Sequence, residues 1–83
     1  MKEEVKRWIE QAEHDLKAAK DSSNAGNFGW AAFQAQQTAE KSLKAIILNR
    51  DGKIRKIHDL IELGRDADLP ENILNKLKEL TQA

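Results

Sequence analysis

An all-α antiparallel up-and-down helical bundle, two long helices plus two short ones, is the fold this sequence predicts. Three observations lead there. Apolar residues recur at three-and-four spacing along most of the chain, no stretch alternates apolar and polar residues as a strand would, and the breaks in the helical period fall at short clusters of turn formers.

The first helix is read from Glu3 to about Asp21. Val5, Trp8, Ile9, Ala12, Leu16 and Ala19 give it one apolar face, and Lys, Glu and Gln fill the other. Glu3 with Arg7 and Glu13 with Lys17 are acid-first pairs four apart, worth about 0.3 kcal/mol each on a solvated face. Ser22-Ser23-Asn24-Ala25-Gly26-Asn27 then breaks the period, with Gly26 or Asn24 suited to the left-handed conformation that ends a helix. So short a connection makes the first two helices antiparallel neighbours.

The stretch Phe28 to Arg50 is the central helix. It is free of Pro, has no Gly after Gly29, and is rich in residues that lose little on entering a helix. Its apolar positions form two rows, Ala32, Ala35, Ala39 and Ile46 in one and Phe33, Leu43 and Ile47 in the other, so it is covered from more than one side. Its alanines let neighbouring helices approach closely. Asn49 to Lys53 is the second turn, with Gly52 as the reversal point. Ile54, Ile57, Leu60, Ile61 and Gly64 describe a third, shorter helix. Pro70 suits the first turn of a fourth, whose face is Ile73, Leu74, Leu77 and Leu80.

The 83 residues make one domain, 1–83, near the small end of what folds alone; at that size only about 60 to 65% of the unfolded chain's surface is buried. Basic and acidic residues number 14 each, so no global positive field draws in nucleic acid, and any anion site must be local. The absence of Cys excludes disulfides and thiol chemistry. The first residues, MKEEVKRWIEQ, do not read as a secretory signal, and no apolar run approaches the roughly 20 residues that span a bilayer. A soluble, cytoplasmic protein without membrane contact is the expectation.

Gln36-Gln37-Thr38-Ala39-Glu40-Lys41-Ser42-Leu43-Lys44-Ala45 resembles the QQ-x-x-EK-x-LKA signature of the HEPN domain family. Three further pieces fall in the family's order around it. Trp8, Ala12, Asp15, Leu16 and Ala19 resemble its first helix, Trp30 and Phe33 its aromatic lead-in, and His58-Asp59-Leu60 with Leu63 its HDL-x-x-L. The resemblance spans nearly all of the chain and about two-thirds of the usual domain, whose late long helix is missing here. It implies a small helical module that binds nucleotide or another anionic ligand, often paired with a minimal nucleotidyltransferase partner of the toxin and antitoxin kind. Nuclease members carry an Arg followed by His after four to six residues. Here seven residues intervene between Arg50 and His58 and only two between Arg55 and His58, so no catalytic residue is carried over. Two alternatives stay beside this reading: a HEPN ribonuclease toxin, and a purely structural oligomerisation bundle.

The candidate ligand-binding residues are Gln37, Glu40, Lys41, Lys44, His58 and Asp59. Histidine as a residue type suits proton transfer or phosphate contact, and on a helix His58 would share a face with Arg55, whose fork binds phosphate. The other reading has His58 or Asp59 capping a helix start. Glu40 and Lys44 are either an exposed pair worth little or, with Lys41, part of a polar cluster reaching Asp15 or the His58 turn. Gln36 and Gln37 suit hydrogen bonds across helices or contact with a base edge. Trp8 and Trp30, at helical spacing, are expected in the core rather than stacked on a base. No His/Asp/Glu cluster has metal-ligand spacing, and no cofactor is expected. The apolar sides of the central helix left without cover, Phe33, Ile46 and Ile47, predict a homodimer.

Overall fold

The computed structural model describes residues 2–82, the last of them by its backbone alone. Four helices follow in order, α1 (Glu3–Asn24), α2 (Phe28–Asp51), α3 (Leu60–Asp66) and α4 (Glu71–Gln82), with no strand among the described residues. No helix among them is long and apolar enough to cross a membrane.

Helix α1 begins with Glu3 and Glu4 in its first turn, where acids favour the positive end of the helix dipole. It runs three residues past the expected end at Asp21, because Ser22 finds a tertiary partner: its hydroxyl lies 2.7 Å from the Gln34 amide on α2. The turn is closed by N–H groups of Ala25, Gly26 and Asn27 donating back to the carbonyls of Asp21, Ser23 and Ser22, with Gly26 at φ 82°. Val5, Ala12 and Ala19, seven apart, are the buried residues of α1, and the two alanines bring the antiparallel α1 and α2 close together. At its other end α2 stops at Gly52, φ 74°, whose N–H donates to the Leu48 carbonyl.

The core lies against the C-terminal half of α2. Leu43 and Ile47 meet Leu60 and Leu63 of α3, with Ile57, Leu77 and Leu80 around them; Ala45 and Leu48 meet Val5 of α1, with Trp8 and Ile9 beside them. The expectation of uncovered residues on α2 is thereby corrected in one place. Ile47 is fully buried, whereas Ile46 and Phe33 stay exposed.

The third helix is shorter than its apolar spacing predicted. Residues 54–59 are irregular and α3 starts only at Leu60, because Asp59 caps it: its side chain accepts from the Glu62 N–H at 3.0 Å. An Asp is far better placed at a helix start than inside a helix. Arg55 therefore shares no helix face with His58. Its guanidinium holds the irregular segment to α3, 2.6 Å from Asp66 and 3.7 Å from Glu62. Arg50 reinforces the same corner, with the Asp66 carbonyl at 2.7 Å and the Asp68 carboxylate at 3.3 Å. Gly64 is buried where α3 meets α4, and the Pro70 carbonyl accepts the N–H groups of Ile73 and Leu74 as α4 starts.

Candidate functional site

The helical signature of α2 and the irregular segment before α3 converge on a polar cluster. Glu40 and Lys44, one turn apart, are 3.3 Å from each other with side chains only 13% and 5% exposed, so this is no solvated surface pair. The Lys44 ammonium also lies 5.6 Å from the centre of the Trp8 ring on α1, within cation–π range. Burying that charge is tolerable because a carboxylate and an aromatic face both meet it.

His58 closes the cluster from outside. Its Nδ1 is 3.2 Å from Glu40 Oε2 and 3.5 Å from Lys44 Nζ, while the side chain as a whole is 80% exposed. One ring nitrogen cannot serve both neighbours at once. With a proton on Nδ1 it donates to Glu40 and leaves Nε2 as a free lone pair; without one it accepts from Lys44. Glu40 and Lys44 thus orient an exposed imidazole from beneath.

Beside this cluster Lys41 reaches across to α1, 2.6 Å from Asp15 in a part-buried pair. Both partners come from the resembling motifs, and their pairing ties the middle of α1 to the middle of α2. Gln37, half-buried, precedes Lys41 by four residues and so shares its side of α2. Phe33 is four residues earlier again. Here the structure overturns an expectation: Trp30 is exposed rather than core, its ring packed edge to face against that of the exposed Phe33 at 5.8 Å. The reason is that α3 and α4 press on other positions of α2, Leu43 and Ile47 above all, and none of their buried residues reaches this face. Trp8 alone of the two tryptophans packs against a core cluster.

The structure brings together Glu40, Lys41, Lys44, His58 and, along the same side, Gln37. It does not bring in Asp59, whose carboxylate is taken by the α3 cap. Lys44 faces inward, with its side chain 5% exposed, while His58 stands outside it. Gln36 takes the structural alternative, donating to the Leu80 carbonyl on α4 at 3.0 Å. Asp15 pairs with Lys41 as the cluster reading expected, whereas Trp8 is the member that spacing did not assign to the site; its signal was its place in the first-helix pattern. Arg50 and Arg55 are engaged with Asp51, Asp66, Asp68 and Glu62, and neither stands beside His58. Among the described residues no group of three or more His, Asp and Glu is placed to hold a metal ion.

No curated protein and no solved structure matches the chain. A family model does: that of the HEPN domain matches residues 5–83, nearly the whole length and all four motif pieces. That match agrees with the paired motif residues Asp15, Glu40, Lys41, Lys44 and His58, and on it the chain belongs to the HEPN domain family.

Proposed function

We propose that this chain is a non-catalytic HEPN module that binds a nucleotide on the side of α2 carrying Trp30, Phe33, Gln37, Lys41 and the His58 cluster. Family membership sets the class, a nucleotide-binding or RNase-like module. The observation that carries the finer reading is the exposed, edge-packed pair Trp30 and Phe33 on the same side as Gln37 and Lys41. Phe33 to Lys41 is eight residues, about 12 Å of helix rise and roughly the length of a mononucleotide. A base then stacks on the aromatic pair, its edge meets the Gln37 amide, and its phosphate lies between Lys41 and the exposed His58 ring. Asp15 already neutralises Lys41, so the attraction is modest and decays over about 8 to 10 Å at ordinary salt.

Quenching of Trp30 fluorescence by ATP and by short RNA at low salt tests this. Saturable binding, weakened several-fold by Phe33→Ala and by Lys41→Ala, is the expected result. Binding unchanged in both variants would place the ligand elsewhere.

The same reading has the module work as a homodimer, and with a protein partner of the minimal nucleotidyltransferase kind in a toxin-antitoxin type pair. Phe28 and Ile46, apolar and exposed, support the first; the family resemblance supports the second. Stoichiometric co-purification of the chain with a co-expressed nucleotidyltransferase tests the pairing, and separate elution of the two at high micromolar concentration contradicts it.

A further inference from the structure

The side of α2 turned away from the polar cluster is exposed at its two ends, while Ala39 between them packs partly against the core of α3 and α4. Phe28 and Ile46 are 18 residues apart, five full turns, and therefore point the same way. They are 69% and 49% exposed. Alongside runs an open groove of about 340 Å³ between α1 and α2, walled by Val5, Ile9, Leu16, Ala45 and Ile46. Glu13 is the one ionisable residue in its lining.

Charge decides what kind of partner fits. A third of the chain is charged, yet from Ser22 to Ala39 no residue is ionisable. A phosphate backbone or an anionic lipid surface needs cations that this face lacks. A second copy does not, and an uncharged face set against itself suffers no like-charge repulsion.

The order of side-chain sizes fits a copy as well. Large residues, Phe28 and Ile46, stand at the two ends, and small ones, Ala35, Ala39 and Ser42, lie between them. Reversing the helix about its middle exchanges the ends: Phe28 of one copy meets Ile46 of the other, while Ala35 meets Ala39 and the axes draw close. The strip is about 27 Å long and two helix widths, about 20 Å, across. Covering it buries roughly 550 Å² per copy, or about 1,100 Å² for the pair, at the small end of specific interfaces.

Resting on the homodimer reading above, we infer that two copies pack α2 against α2 in antiparallel register across a two-fold axis, with Phe28 and Ile46 opposed. The polar cluster and the Trp30–Phe33 pair stay outside this interface.

Sedimentation equilibrium of the full chain from about 1 to 500 μM, the range expected of so small an interface, is the test. Phe28→Glu and Ile46→Glu each weaken dimerisation by at least about tenfold, since the paired copies face each other across apolar contacts. Trp30→Glu leaves it unchanged. Phe28→Glu mixed with Ile46→Lys restores association, because the opposed positions then carry opposite charges. Circular dichroism confirms that each variant keeps its helix content. A wild-type chain monomeric throughout would remove the homodimer reading itself. A dimer that survives Ile46→Glu but is lost with Trp30→Glu would keep that reading and overturn the interface; single variants that dissociate without rescue on mixing would overturn the antiparallel register.

Discussion

Removing the Glu40 carboxylate strands the Lys44 ammonium. Lys44 is 5% exposed and its ion-pair partner lies 3.3 Å away, so Glu40→Ala leaves the charge with the Trp8 ring at 5.6 Å and one imidazole nitrogen at 3.5 Å. Breaking a buried pair from one side costs about 3 to 5 kcal/mol. Here the ring retains about 0.5 to 2 kcal/mol of attraction. The cluster also opens outward past His58, 80% exposed, which admits water. The net expectation is a loss of about 2 to 3 kcal/mol, a fall in Tm of roughly 10 to 20 °C for a domain this size. Adding Lys44→Met removes the stranded charge and keeps an unbranched apolar chain against Trp8. The double variant then returns to within about 1 kcal/mol of wild type, since apolar replacement of a whole buried pair is often neutral. Urea unfolding of the four proteins in the cycle measures this. Glu40→Ala within about 0.5 kcal/mol of wild type, or a double variant less stable than Glu40→Ala, refutes the claim that Lys44 is held away from water.

Three shorter predictions accompany it. Gly64→Ala places a Cβ 2.8 Å from a Leu74 methyl and 3.1 Å from one of Leu77, so it destabilises by about 1 to 3 kcal/mol in urea unfolding despite the better helix propensity of Ala. The Arg50 guanidinium, hydrogen-bonded to Asp51, holds that carboxyl below its ordinary 3.8. A depressed folded value means a contribution present above pH 4 and lost as pH falls through the folded value, so melting curves of Asp51→Asn lose part of the wild-type acid destabilisation below about pH 4, an effect that shrinks in high salt. Mixed RNA incubated with the chain, with and without Mg²⁺, stays intact because neither Arg50 nor Arg55 stands beside His58; cleavage abolished by His58→Ala would contradict the non-catalytic reading.

Much of this molecule is written in its periodicity. Val5, Ala12 and Ala19 recur at seven and are the buried residues of α1, and Gly52 ends α2 in the left-handed conformation that its place after Asn49-Arg50-Asp51 foretold. Where spacing misled, a side chain competed with the backbone. Ile54, Ile57 and Ile61 look helical, but Asp59 gains more by capping α3 than by sitting inside it, so the helix starts at Leu60. Aromatic exposure was hidden for another reason. Trp30 sits at core-like spacing, and only the placement of α3 and α4 against Leu43 and Ile47 shows that no helix lies over it. Within the site, the spacing of Glu40 and Lys44 names a pair but gives its burial no hint. That follows from Trp8 and from His58, 14 residues beyond Lys44, folding over it.

The nucleotide face of α2 is the central claim, and chemical-shift mapping of the ¹⁵N-labelled chain with ATP at low salt tests it most directly. The account predicts shifts concentrated at Trp30, Phe33, Gln37, Lys41 and His58, with Ile9, Leu16 and Ile46 of the opposite groove unmoved. Shifts confined to that groove, or none at millimolar ATP, would contradict it.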